Sequence, residues 1–81
     1  MVNPRKPQIT GRQLRAARAW LGWTQQDLSD RSKISKRSIA RFEGLETVAY
    51  DDTLDALQRT LEEAGMLFIF DGPRGVGVRA K

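Results

Sequence analysis

Thr24-Gln25-Gln26-Asp27-Leu28-Ser29-Asp30-Arg31-Ser32-Lys33-Ile34-Ser35-Lys36-Arg37-Ser38-Ile39-Ala40-Arg41-Phe42-Glu43 is the stretch on which the fold turns. Thr24 and Ser35 are hydroxylic residues placed to cap two short helices. Asp27 follows Thr24 by three positions, where its carboxylate reaches back to the cap backbone. Leu28 is the main core residue of the first helix, which cannot be long because Ser32-Lys33-Ile34 follows. The second runs from Lys36 to Glu43 and ends at Gly44. At about 100° per residue, Ile39 and Phe42 fall within roughly 60° of each other and point inward. Lys36, Ala40, Arg37 and Arg41 then span an arc of about 140° on the other side. A helix entering the DNA major groove needs this composition. Arg and Lys donate to guanine O6 and N7, and a small alanine lets the surface come close and touches a thymine methyl. Thr24 and Gln25 stand at a helix N-terminus, where free N–H groups favour a phosphate. Lys33, Ser35 and Ser38 flank the same face and join them as phosphate contacts. The plainer reading of the face is a solubilising surface on a core helix.

Outward from this stretch the pattern stays helical. Thr10 and Gln13 make a capping box for a helix running to about Leu21, with Leu14, Ala17 and Leu21 as its core stripe and Gly22 as its left-handed stop. Asp51 or Asp52 opens a fourth helix, where acids suit the N-terminal dipole. Leu54, Leu57 and Leu61 line one face of it, and Gly65 stops it. Met66-Leu67-Phe68-Ile69-Phe70 is too short for a helix and rich in β-formers, so it reads as a strand. Asp71-Gly72-Pro73-Arg74-Gly75 is turn chemistry. Val76 and Val78 suggest a second short strand, which nearby glycines weaken. The expected architecture is mainly α: four helices with a short C-terminal β-strand or β-hairpin. Residues 1–8 read as a flexible basic arm, 9–65 as the DNA-binding domain and 66–81 as a dimerisation element. The arm is open to two readings, a DNA contact or a frayed terminus.

Composition narrows the chemistry. The chain has 81 residues, no cysteine and no histidine. Disulfides, thiol chemistry and the commonest general base and metal ligand are therefore excluded. Residues 1–41 hold ten basic and two acidic side chains, and the remainder four and eight, so a +8 half precedes a −4 half. Such asymmetry points to a polyanion-binding face in the first half. The carboxylates of Asp51, Asp52, Asp55, Glu62 and Glu63 fall on solvated helix faces, with no nucleophile–base pair or metal spacing. The expectation is a non-enzyme without cofactor or metal. No apolar run approaches a membrane span and no signal-peptide pattern opens the chain, so a cytoplasmic location is expected.

Arg18-Ala-Trp-Leu-Gly-Trp-Thr24-Gln25-Gln-Asp-Leu28, followed by Ile34-Ser-Lys-Arg-Ser-Ile39-Ala-Arg-Phe42-Glu43-Gly44, resembles the helix-turn-helix domain of phage repressors and Cro, the XRE-type regulators. The resemblance covers about Ile9 to Leu61. It implies that Gln25, with Thr24 beside it, binds a phosphate, and that Lys36, Arg37 and Arg41 read bases. It implies a structural Arg18–Glu43 pair, which removes Arg18 from the DNA ligands. It places Thr47 in a loop that touches the backbone. Two departures stand out. Lys33 occupies a turn position that is usually Gly, at a cost of order 1 kcal/mol for a left-handed conformation. Ser29 and Ser32 replace the usual Ala or Val, which predicts looser packing between the helices.

Trp20 and Trp23 flank Gly22, and helical spacing explains them as packing at a junction better than as base-stacking platforms. The strand at Leu67, Phe68, Ile69 and Phe70 is apolar on both faces and needs two covers. A two-fold homodimer through these residues supplies the second and suits a palindromic site; the alternative is an intrachain hairpin. The leading expectation is a dimeric repressor on double-stranded DNA. The alternative is an antitoxin or anti-activator that captures a protein partner with the apolar strand.

Overall fold

A computed structural model describes residues 7–44 and 49–81. The first six residues of the basic arm, and Thr47, lie outside the described residues. The elements are α1 (Gly11–Leu21), α2 (Gln25–Ser32), α3 (Lys36–Glu43), α4 (Asp51–Glu63), β1 (Met66–Asp71) and β2 (Arg74–Ala80). The chain is mainly helical, with a C-terminal antiparallel hairpin.

Local chemistry sets the helix ends. Thr10 Oγ1 accepts from the Gln13 N–H, while Gln13 Oε1 accepts from the Thr10 N–H, closing the capping box. Gly22 ends α1 at φ 70°. Thr24 and Asp27 form the same reciprocal arrangement at α2, and Ser35 accepts from the Ser38 N–H at α3. Lys33 takes the left-handed conformation, φ 66°, and its N–H donates to the Ser29 carbonyl at 2.9 Å. Ser32 Oγ accepts from the Ile34 N–H at 3.2 Å, so this serine closes the turn. Asp51 opens α4 behind Tyr50, which makes no side-chain cap.

The core gathers one face of every helix: Leu14 and Ala17 from α1, Leu28 from α2, Ile39 and Phe42 from α3, and Leu54, Leu57 and Leu61 from α4. Ile9 and Met66 join it from outside the helices. Leu21, half-buried, packs against its edge. Helices α1 and α3 approach so closely that a Cβ on Gly11 would run into the Phe42 carbonyl. That neighbour is backbone and cannot turn aside. Gly11→Ala should therefore cost about 1–3 kcal/mol through forced separation of the helices. Thermal denaturation checks this, and an unchanged midpoint would mean that the two helices part freely.

The second strand is longer than the glycines suggested. It pairs antiparallel with β1 from Met66↔Ala80 to Asp71↔Arg74, with an irregularity between Ile69 and Phe70 that leaves Val76 without a partner. Gln13 explains the anchoring. Its Nε2 donates to the Ile69 and Gly77 carbonyls at 2.9 and 3.0 Å, while its Oε1 still serves the cap. A Cβ on Gly75 would fall inside this carboxamide, so the glycine makes room for the anchor. Phe68, Phe70 and Val78 pack against the core. Leu67 is half-buried and Ile69 is 39% exposed on the opposite side of β1.

Candidate nucleic-acid interface

Helix α3 turns Ile39 and Phe42 into the core and leaves Lys36, Arg37, Ser38 and Arg41 exposed. Ala40 is half-buried between them. Among the described residues no hydrogen bond or ion pair engages the side chains of Lys36, Arg37 or Arg41. Three cations thus stand on one solvent-facing arc of a helix whose opposite arc is locked into the core. Lys33 and Ser35 are exposed at the turn before it, and Ser35 Oγ donates to Ser38 Oγ at 2.9 Å.

Glu43, 3% exposed, holds this helix in place. Arg18 grips its carboxylate with two donors, Nε at 2.9 Å and Nη2 at 2.8 Å, and sends Nη1 to the Trp23 carbonyl at 2.8 Å. Gln25 Nε2 donates to the same carboxylate at 3.2 Å. One acid therefore ties the last residue of α3 to α1 and to the first residue of α2. The hydrogen bond from Arg18 to Glu43 is the main cause that raises the guanidinium pKa above its ordinary value, with their charge attraction adding to it against partial burial. A raised basic pKa contributes stability that is fully present below the unfolded value and is lost only as pH rises through the folded one, so the guanidinium stays charged at every ordinary pH. Motif matching placed Gln25 among the phosphate contacts. In the structure one amide proton already serves Glu43, a role without a local signal, because the partners are 18 residues apart.

Thr24 is exposed at the head of α2 with its Oγ1 committed to the Asp27 N–H. The Thr24 N–H and hydroxyl hold Asp27 below the usual carboxylate range. A depressed acid pKa contributes stability above the unfolded value of 3.8 and loses it as pH falls. Asp27→Asn should therefore be less stable than the native chain at neutral pH, and the two should converge as Asp27 titrates. Melts from pH 6 to pH 2 read this (roughly the span over which such carboxylates protonate); curves that stay parallel throughout would contradict it.

The two tryptophans part ways. Trp23 is half-buried against the core, with the Arg31 guanidinium 4.4 Å above its ring. Trp20 is 68% exposed, so packing at the junction does not account for it.

The helix-turn-helix family model matches residues 14–63, which span all four helices apart from the start of α1. The chain belongs to the XRE-type helix-turn-helix family. This family is a DNA-binding regulator domain, and its turn in this chain is the Lys33 turn between α2 and α3. No curated protein matches this helix-turn-helix chain. Among the described residues no helix is long and apolar enough to cross a membrane.

Proposed function

We propose that the protein is a sequence-specific repressor that reads a palindromic operator as a homodimer, with α3 in the major groove. The observation that carries this reading is the arc of Lys36, Arg37 and Arg41, unpaired and exposed around Ala40. Arg and Lys there donate to guanine, and Ala40 admits the base edges. Thr24, Gln25, Lys33, Ser35, Ser38 and Thr47 bind phosphates, Gln25 through its remaining amide proton and the N–H groups at the head of α2. The protein acts by occupancy, in the cytoplasm where its operator is.

The dimer rests on β1. Phe68 and Phe70 face the core, so contacts to a second copy fall to Leu67, Ile69 and the strand backbone. In the two-stranded sheet, β2 takes one edge of β1 and does not cover its outer face. Two-fold pairing would set two copies of α3 about 34 Å apart, one turn of DNA.

Selection of bound duplexes from a random pool tests both parts. A two-fold symmetric consensus is expected, with affinity that falls steeply as salt rises. No enrichment would move the weight to the antitoxin-like reading, and a monomer in sedimentation at high micromolar concentration would remove the dimer.

A further inference from the structure

A second surface lies on the far side of α1. Arg12, Ala16 and the β2 residues Arg74 and Val76 line a groove of about 670 Å3 between helix and hairpin. It continues along α1 past Arg15 to Ala19. Trp20, one turn beyond Ala16, stands exposed at its end, and Val76, left unpaired by the bulge, is 55% exposed on the hairpin wall. Its position is held rigidly, because Gln13 clamps the bulge to α1. Gly11 marks the side of α1 that meets α3. Arg12 and Ala16 lie about 100–140° round the helix from it, so the groove is turned away from the recognition face.

We infer that this groove docks an acidic amphipathic helix of a partner protein. Three features choose the occupant. Arg12, Arg15 and Arg74 surround the groove, and no acidic side chain lines it among the described residues. A second copy of this chain would bring three more arginines onto the same patch, so like charge disfavours self-association here. Ala16, Ala19, Gly75 and Gly77 are its small lining residues, with tryptophan and valine at the margins. Small residues admit a close helix backbone, and an exposed tryptophan is the commonest kind of anchor at protein interfaces. A nucleic-acid backbone would use the arginines and leave Trp20 and Val76 without a partner.

The probe is a synthetic helical peptide about 15 residues long with a leucine stripe flanked by glutamates, compared with its glutamine counterpart. Both are titrated into the full chain and followed by amide and indole NMR shifts. The glutamate peptide should move Arg12, Ala16, Ala19, Val76 and the Trp20 indole, and bind about tenfold more tightly than the glutamine peptide. Arg12→Ser with Arg74→Ser should weaken it by about tenfold or more and leave the melting temperature and duplex binding unchanged. Trp20→Ala should weaken both peptides. No shift in the groove at about 1 mM peptide, equal binding by the double variant, or shifts at the same residues on adding duplex DNA would each overturn the inference.

Discussion

Glu43→Ala should destabilise the fold by about 3 kcal/mol, the low end of the range for breaking a buried ion pair from one side. The carboxylate is almost fully buried and takes three hydrogen bonds, two from Arg18 and one from Gln25. Truncation removes all three and leaves a guanidinium with its charge uncompensated. Arg18 keeps 16% side-chain exposure, so water reaches it, and this holds the loss to the lower end. For a domain of this size the melting temperature should fall by roughly 12–24 °C. Arg18→Met with Glu43→Leu should recover most of the loss, since removing both charges leaves nothing to desolvate. A drop below about 1 kcal/mol for Glu43→Ala would mean that the pair behaves as an exposed one. DNA affinity should fall as well, because Glu43 ties the end of α3 to α1 and α2.

Removing Lys36, Arg37 and Arg41 together should lower operator affinity by about a thousandfold or more, at about tenfold or greater per base contact. The three side chains are exposed and make no hydrogen bond or ion pair among the described residues that their loss would break. Stability should therefore stay within about 0.5 kcal/mol, and the loss of binding can be read as lost contact. The single variant Arg41→Ala separates the two ways a cation can serve. As a base reader it costs about 1–3 kcal/mol of discrimination at one base pair per half-site. As a phosphate contact it would weaken all sequences alike and reduce the salt slope by about one. Footprinting across single-base operator variants distinguishes these. A uniform loss would reassign Arg41 to the backbone.

The helix boundaries were legible because capping is short-ranged. Thr10 with Gln13, Thr24 with Asp27 and Ser35 with Ser38 each settle within four residues, and the apolar period then says which side faces in. The left-handed Lys33 was legible only through the family resemblance, in which its position is usually Gly. The fate of Trp20 was not. Its spacing in α1 fits packing, but no element among the described residues covers it, and such cover is not a local property. The strand showed a related limit. Its apolar run does not say which residues face in, and only the docked hairpin separates Phe68 and Phe70, which face the core, from Leu67 and Ile69, which do not.

By itself the sequence determined the order of four helices, three of them with side-chain caps, the core stripes of Leu14, Leu54, Leu57 and Leu61, and the basic arc of α3. Each follows from residues within a few positions of one another, where backbone geometry dictates who is a neighbour. Tertiary structure alone decided the joints. Gln13 meets Ile69 and Gly77 across 56 and 64 residues, Gly11 yields to the Phe42 carbonyl, and Gln25 turns to Glu43. These contacts depend on how whole elements dock. A buried amide takes whichever carbonyls the docking brings within 3 Å, and nothing in its local sequence names them.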